Sequence, residues 1–594
     1  MVSLSQEWQQ IIVITVTVLL IFFLFWEKVK PSFVFFAAVF IFLITGIVDT
    51  KGFLNSLANE SILSIFLLIF ITAGLRNHFN IIGWLDKLFG KTSNPRSFMF
   101  RMTAGVTAMS AFLNNTPIVA LLMPYVYQWA KKHKISPGKF LIPLSYAAII
   151  GGMITVIGTS TNLVLNGLIE SKNGVPLGLF DYLYPGLLVS IAGIIFLYLF
   201  GLKLLPNRKD LLESNAKLSR EYLVETRVTP GSSLIGKSVI DANLRNLTGI
   251  YLFEIARNGN IITPVNPDEI IQSNDALFFA GETQNIMELL ERDNELSLPM
   301  PGGQEVDHKH NIIETVIPIN SELAGKTLKQ LEFRENYDAA VVAIHRNGAK
   351  LRGKIGEIEM QAGDLLMISA GKNFRQQLNA RPNLYLVSVL THVEDAKPLV
   401  KSGFAVILIV VITGMVLGYL NLFLALMIIT AYMVVGQLLT ISEIKKQLDM
   451  DLLMILVASL TFSKAIIDSG TAELISHNFI SLFSGFGNKG ILIGLYLITL
   501  VLTTFITHVA AVSIIFPIAF SLGTTIPGMN MTALLLAISF AASASFHSPF
   551  SYQTNLMVYG PGGYKFKDFV KIGLPFTFIY SIIVLFFLIL YYNI

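Results

Sequence analysis

Two long apolar regions, one towards each end of the chain, constrain its fold more than any other feature. They cover residues 11–205 and 403–592, and each holds several apolar runs of about 20 residues, the length that crosses a bilayer. Only 14% of the 594 residues are charged, whereas soluble domains carry about 25%. The sequence therefore predicts a polytopic α-helical protein whose solvent is the lipid bilayer. The first run, 11–25, lacks the basic start and cleavage site of a signal peptide, so we expect it to be retained.

The remaining composition excludes several functions. Cysteine is absent, which excludes disulfides, thiol catalysis and cysteine-bound metals. The net charge of +4 gives no indication of a nucleic-acid partner, and no motif of an enzyme or of an organic cofactor stands out. Residues 206–398 are more polar, with short apolar runs between Gly and Asn that are typical of strands. We therefore predict a soluble α/β insert between the two apolar regions.

The two apolar regions repeat each other. Residues 115–124 align with 508–517 at a shift of 393, and 161–164 align with 554–557 at the same shift. We predict that each half has five spans and one stretch interrupted by polar residues, which we interpret as a re-entrant hairpin. The first half would have spans at 11–26, 32–48, 61–75, 140–168 and 183–204, with the hairpin at 98–126; the second at 403–418, 421–439, 452–466, 532–558 and 573–592, with the hairpin at 490–523. Five crossings is an odd number, so the second half would be inverted, as in secondary transporters.

The distribution of basic residues gives an orientation. With the N-terminus outside, nearly all Lys and Arg of the short loops lie inside, which is the usual bias. The exceptions are Lys51, Lys172, Lys489 and, near the end of a span, Lys464. We therefore predict a multi-pass protein of the cell (inner) membrane, with a cytoplasmic insert and both termini outside.

Polar residues at the helix interruptions indicate what the membrane part does. Such breaks survive in a membrane only inside protein or beside a water-filled cavity. Freed carbonyls and amide oxygens can coordinate a cation, and helix N-termini can hold an anion. This pattern favours a cation-coupled anion carrier. Two alternatives remain: the hydroxyls and asparagines only cap their own helices, or the protein is a channel.

The tip 114–116 and the break 158–162 resemble the motifs of the divalent-anion:sodium symporter family, within the ion-transporter superfamily. The resemblance covers both membrane halves and implies sodium as the coupling ion, a small divalent anion as the substrate and a homodimer. It implies that the first sodium site consists of Ser110, Asn114, Asn115 and Gly158. The substrate-binding residues that we predict lie at the two tips and breaks: Asn115, Thr116, Thr159, Ser160, Thr507, His508, Tyr552 and Gln553.

The second half departs from this family pattern. His508 stands where the motif has a coordinating asparagine. The corresponding second sodium site would be Thr503, His508 and Ser551. His508 could instead take part in proton coupling, supply positive charge to an oxyanion, or act as a neutral histidine between helices, because a histidine at membrane depth is costly and tends to be functional.

The insert is itself duplicated. At a shift of 89, residues 233–238 match 322–327, and the Arg-Asn-Gly at 257–259 matches that at 346–348. Both copies resemble the TrkA C-terminal, or RCK C-terminal, domain, a combination that occurs in a sulfate-transporter-like branch of the symporter family. This implies a small-molecule regulator at the insert, or a purely dimerising role.

These patterns divide the chain into seven parts and assign a function to it. The parts are membrane half 1 (1–205), a linker (206–221), the first RCK-like domain (222–292), a linker (293–311), the second RCK-like domain (312–379), a linker (380–398) and membrane half 2 (399–594). We predict sodium-coupled uptake of sulfate or a dicarboxylate by alternating access, not an enzyme. The alternative function is a cation transporter or channel gated by the RCK-like domains.

Overall fold

The protein is predominantly helical, with a β-rich segment in the middle. The computed structural model describes residues 4–26, 29, 31–79, 92–172, 174–207, 223–245, 247, 250–257, 260–281, 296–297, 312–318, 321–346, 349–351, 355–381, 383–387, 398–448 and 450–594. Across these residues, eight helices are long and apolar enough to cross a membrane. The prediction of a polytopic helical membrane protein is therefore confirmed.

The first apolar region forms a series of helices that differ widely in length. In its described part these are α1 (Gln6–Trp26), α2 (Pro31–Ile44), α3 (Thr50–Leu57), α4 (Glu60–His78), α5 (Pro95–Ser110), α6 (Asn115–Lys132), α7 (Leu141–Gly152), α8 (Ser160–Glu170) and α9 (Leu179–Phe196). A π-helical turn at Leu197–Gly201 continues α9 to Leu204.

Two short helices, α10 (Phe333–Tyr337) and α11 (Phe374–Ala380), belong to the insert, and the second apolar region follows. Its helices are α12 (Pro398–Val416), α13 (Leu422–Val435), α14 (Ile441–Gln447), α15 (Met450–Asp468), α16 (Thr471–Phe483), α17 (Gly487–Phe505), α18 (His508–Thr525), α19 (Met531–Ala542), α20 (Gln553–Tyr559) and α21 (Phe566–Tyr591).

Both predicted hairpins are pairs of consecutive helices that meet at a short non-helical tip. In the first hairpin, α5 and α6 are separated by residues 111–114; in the second, α17 and α18 are separated by residues 506–507. The aligned prolines Pro124 and Pro517 both lie inside the second helix of their hairpin. Proline removes a backbone hydrogen bond at such a position, which favours a bend.

The spans after the hairpins are interrupted earlier than the sequence suggests. The polar motifs predicted breaks at 158–162 and 551–555, but α7 already ends at Gly152 and α19 at Ala542. The first break is therefore 153–159 and the second break is 543–552. The cause is that hydroxyl side chains within them, such as those of Thr155 and Ser551, bond to nearby backbone groups and so compete with helical bonding.

The insert contains two five-stranded antiparallel sheets. The strands are β1 (Leu223–Val228), β2 (Ile250–Arg257), β3 (Asn260–Ile262), β4 (Ala276–Gly281), β5 (Leu296–Ser297), β6 (Ile312–Val316), β7 (Ala339–Arg346), β8 (Ala349–Lys350), β9 (Leu365–Ala370) and β10 (Tyr385–Leu386). The strand orders, β3-β2-β4-β1-β5 and β10-β6-β9-β7-β8, are equivalent when read from opposite edges. The strands β5 and β10 lie within the segments predicted as linkers, so each sheet extends beyond the predicted domain limit.

Several features predicted for the insert lie outside the described residues. These are most of the linker 206–221, the turn residues 258–259 and 347–348 of the two hairpins, and most of the linkers 293–311 and 380–398. The glycine-lysine turns at 236–237 and 325–326 are described, and in both the chain passes through a left-handed glycine.

The two sheets pack face to face, and the second also touches the membrane helices. A shared apolar layer includes Phe253 and Phe278 from the first sheet and Val342 and Met367 from the second. Leu365 of β9 belongs to the apolar core of the membrane helices. The insert is therefore packed against the transmembrane part and not merely tethered to it.

Candidate functional site

The first hairpin tip brings polar groups to the middle of the membrane part. The helix α5 ends at Ser110, and α6 begins at Asn115, so the chain reverses over four residues. Asn114 occupies the N-cap position of α6, but its side chain makes no capping hydrogen bond. The first backbone N–H groups of a helix have no intrahelical partner, so this tip presents a partial positive charge.

Four polar groups converge behind this tip, and we call them the first cradle: Ser110 Oγ, the Asn115 side-chain amide and the carbonyls of Ala148 and Gly158. Ser110 Oγ donates to Ala148 O at 2.8 Å. One amide atom of Asn115 lies 2.7 Å from Ser110 Oγ, 3.0 Å from Ala148 O and 3.2 Å from Gly158 O. A nitrogen at this position donates to the three oxygens, whereas an oxygen there completes a ring of four oxygens. Amide orientation is assigned and not observed. The nitrogen orientation satisfies the group without an ion, whereas in the oxygen orientation a cation would offset the close approach of the Ala148 and Gly158 carbonyls to the amide oxygen.

Two glycines let the backbone approach the first cradle. A Cβ atom at Gly158 would lie 2.6 Å from Gly152 O and 2.7 Å from Ser110 O. A Cβ atom at Gly152 would lie 2.6 Å from the Asn115 side chain. Both separations are shorter than van der Waals contact, so only glycine fits at either position.

The second hairpin has the same layout with different chemistry, and its equivalent group is the second cradle: Thr503, His508, the Ala542 carbonyl and Ser551. Thr503 Oγ1 donates to Ala542 O at 2.8 Å, as Ser110 does to Ala148. The backbone of Ser551 lies close to the His508 ring, and Ser551 is the counterpart of Gly158 at the shift of 393. The imidazole of His508 therefore takes the place of the Asn115 amide.

His508 is held in position by its neighbours. Its ring stacks on that of Tyr552, with centroids 4.4 Å apart and an interplanar angle of 6°. Its Nδ1 is buried and has no hydrogen-bond partner among the described residues. Ser551 Oγ turns away from the ring and donates to Ser545 O at 2.8 Å. The second cradle thus holds a large aromatic ring where the first holds a small amide.

Two equivalent hydrogen bonds join the two halves beside the breaks. Asn162 accepts from Ser539 Oγ at 2.7 Å, and Asn555 accepts from Ser145 Oγ at 2.7 Å. Each asparagine also donates to a carbonyl of its own break, Asn162 to Thr155 at 2.9 Å and Asn555 to Ser548 at 3.1 Å. Each half therefore holds the break of the other. Neither serine was predicted from the sequence, because the pairs join residues 377 and 410 positions apart.

The residues predicted to touch the substrate partly come together between the halves. Thr116 Oγ1 donates to Gln553 Oε1 at 3.3 Å, which links the first tip to the second break. The hydroxyl of Tyr552 donates to Ser543 at 3.1 Å and is within hydrogen-bonding reach of Thr159.

The other predicted substrate residues contribute less to this contact. Thr507 is exposed and caps the N-terminus of its own helix, accepting from the Ala510 N–H at 3.4 Å. Ser160 is the first residue of α8, and Thr159 is its N-cap. The N-termini of α6 and α8 thus lie beside the residues that join the two halves, an arrangement that suits an anion.

The matches to known proteins cover nearly the whole chain. Its sequence matches the citrate transporter family over residues 21–431 and 407–594. It is similar to a candidate sulfur deprivation response regulator of Chlamydomonas reinhardtii (32% identical, covering 94% of this chain and 97% of the relative). It is also similar to an uncharacterized transporter of Synechocystis sp. (30% identical, covering 96% and 94%) and to sodium/sulfate cotransporter 1 of C. reinhardtii (23% identical, covering 99% and 90%).

Proposed function

This chain belongs to the citrate transporter family and is a transporter of anions, and on that basis we propose that it takes up a small divalent anion, sulfate in the first place, together with sodium. Relatives that carry the name sodium/sulfate cotransporter favour sulfate and sodium. The family's own name makes a carboxylate such as citrate the main competing substrate. The resemblance to divalent-anion:sodium symporters also favours sodium and a small divalent anion.

The first cradle carries this proposal. Ser110, Asn115 and Gly158 were expected to hold sodium, and Ser110 Oγ, Ala148 O and Gly158 O lie 2.7, 3.0 and 3.2 Å from one amide atom of Asn115. Sodium is a hard cation that takes oxygen ligands, as calcium and magnesium do. Asn114 lies at the tip and would contribute a backbone or side-chain oxygen after a small movement. We therefore assign one sodium ion to this cradle.

The second cradle supports a different assignment from the one expected. The ring of His508 stacks on that of Tyr552 and fills the place that the Asn115 amide has in the first cradle, so it leaves less room for a cation. We propose that His508 fills this position and that no sodium ion binds at Thr503, His508 and Ser551. Sodium in the first cradle would then neutralise part of the charge of an anion held between the first tip and the second break.

The anion would bind where the halves meet. Thr116, Thr159, Tyr552 and Gln553 offer hydroxyl and amide donors, and the N-termini of α6 and α8 add backbone N–H groups. In an inverted-repeat carrier the hairpins and breaks would move against the remaining helices to give alternating access. The hydrogen bond between Thr116 and Gln553 would then be replaced by bonds to the anion.

The proposal also includes the orientation of the chain in the membrane and the side on which the insert lies. Lys172 is 2.9 Å from Asp468 and Lys464 is 3.8 Å from Asp49, so the lysines expected outside pair with acids from the other half. Lys131, expected inside, pairs with Glu314 of the insert at 3.6 Å. The pair with Glu314 puts the insert on the side of Lys131, which favours a cytoplasmic insert and both termini outside. The family resemblance supports RCK-like domains, regulatory or dimerising, and a homodimer in the inner membrane.

Uptake into proteoliposomes tests the proposal. We expect radiolabelled sulfate to accumulate under an inward sodium gradient and not under an equal choline gradient. Asn115→Ala removes the central ligand of the first cradle and should lower uptake at least about tenfold, which corresponds to about 1.4 kcal/mol. Asn478→Ala, at an asparagine on the surface of α16, is the matched control and should leave uptake unchanged.

Labelled citrate and succinate in parallel assays define the anion. Uptake of citrate in preference to sulfate would replace sulfate as the substrate while leaving the anion carrier intact. Equal uptake in sodium and choline, or full activity of Asn115→Ala, would contradict sodium binding in the first cradle.

A further inference from the structure

A cavity between the two sheets of the insert has an unusual lining. It is an open crevice of about 250 Å³ when the solvent space at its mouth is included, and it is bordered by Tyr251, Val265 and Pro267 and by two arginines, Arg245 and Arg334. The arginines occupy equivalent positions, because they are related by the shift of 89 that relates the two sheets. The duplication therefore places one arginine from each copy beside the same cavity.

Neither of these arginines forms an ion pair with a carboxylate of the described residues. Arg334 lies over the ring of Tyr251, 5.6 Å from its centroid, and Nη1 donates to Val265 O at a long 3.5 Å. The described residues that line the cavity include no carboxylate. Burial lowers the pKa of Arg334 and is the largest effect; Tyr251 opposes it, and the positive charge of Arg245 lowers the pKa by a smaller amount.

Another arginine pair in the same two sheets is fully neutralised. Arg257 makes two hydrogen bonds of 2.9 Å to Asp275. Arg346 makes two of 2.8 Å to Asp364. In both cases the hydrogen bonds to the aspartate raise the pKa of the arginine. The fold thus supplies a buried acid to one equivalent pair of arginines, and among the described residues it supplies none to the pair at the cavity.

We propose that this cavity binds a doubly charged tetrahedral oxyanion between Arg245 and Arg334. The guanidinium group presents a planar fork of donors that matches the oxygens of sulfate and phosphate. A bound anion would replace the missing counter-charge and join the two sheets, since each sheet contributes one arginine. The same chemistry is offered by free sulfate, by free phosphate and by the phosphate of a nucleotide.

Equilibrium dialysis of the full-length protein in detergent tests this site. The protein carries Asn115→Ala, so that the first cradle is impaired, and the probes are labelled sulfate, phosphate and AMP. We expect at least one of them to bind, and R245Q/R334Q to weaken that binding at least about tenfold. The probe that binds most tightly identifies the source of the oxyanion.

A matched variant separates a specific site from general positive charge. K237Q/K326Q removes two exposed lysines that are also related by the shift of 89 but do not line the cavity, and it should bind as before. If the double variant fails to fold, R245Q alone is tested in its place, because Arg245 is exposed and its replacement should not disturb folding. Binding that is absent for all three probes, or equal in R245Q and the parent, would overturn the proposal. Neither result bears on whether the membrane part transports sulfate.

Discussion

At the scale of single residues, one substitution separates the two cradles. Asn115 and His508 are related by the shift of 393 and occupy equivalent places, beside Gly158 and Ser551. The amide is small and can turn its oxygen towards a cation. The imidazole ring, stacked on that of Tyr552, is larger. On the proposed assignment, the half that keeps asparagine binds the ion, and the ring of His508 fills the equivalent place in the other half.

Replacing His508 by asparagine should create the second ion site. Wild-type uptake should depend on sodium with a Hill coefficient of about one, and H508N should raise it towards two, because coupled binding sites steepen the response. The measurement is the initial uptake rate against sodium concentration. H477N, at an exposed histidine of α16, is the matched control. A wild-type coefficient near two, or no change in H508N, would show that His508 does not replace an ion.

The sequence predicted some members of the first cradle and missed others for a physical reason. Ser110, Asn115 and Gly158 were found because their side chains, or the lack of one, form a motif. Ala148 contributes only its carbonyl oxygen. Every residue type has such a carbonyl, so no sequence pattern can indicate which one will face the site.

At the scale of secondary structure, the breaks are held by residues outside them. A non-helical segment inside a membrane protein leaves backbone groups that need partners. Asn162 and Asn555 supply one donor each to a carbonyl of their own break, and serines of the opposite half fix their orientation. Neither asparagine caps its own helix, since the N-caps of α8 and α20 are Thr159 and Tyr552. These bonds act together with the hydroxyl-to-backbone bonds inside the breaks, and tertiary bonds of this kind cannot be read from the sequence, which placed both breaks several residues too late.

Removing the hydrogen bonds of one of these asparagines should destabilise the membrane part. Asn162→Ala leaves the Thr155 carbonyl and Ser539 without a partner, which costs about 1–3 kcal/mol per buried group, and S539A should cost less. In a double-mutant cycle the two effects should not add, since both variants remove the same bond. The measurement is thermal unfolding in detergent without sodium or anion, with N478A as the neutral control. Full additivity would mean that Asn162 and Ser539 do not stabilise each other.

At the scale of the whole molecule, the two halves and the insert form one packed unit. Family membership confirms a transporter of anions and not an enzyme. Helices of one half pack on helices of the other, such as α2 on α15 and α4 on α13. The sequence predicted ten spans, whereas eight helices of the described residues are long and apolar enough to cross a membrane, and two of these eight, α17 and α18, form the second hairpin. It could not predict that Gly560 would meet Gly363 of the insert, where an added Cβ would lie 2.5 Å from a carbonyl oxygen.

The absence of cysteine makes the orientation directly measurable, because any introduced thiol is the only one in the chain. A membrane-impermeant maleimide should label K489C in intact cells. It should label K237C in the insert and K567C at the start of α21 only after the membrane is permeabilised. This outcome follows from the positive-inside bias, which places the basic loops of both halves in the cytoplasm. Labelling of K237C in intact cells would place the insert outside. Because Lys489 precedes the second hairpin and Lys567 follows the second break, labelling of both from one side would rule out the inverted arrangement on which the transport site depends.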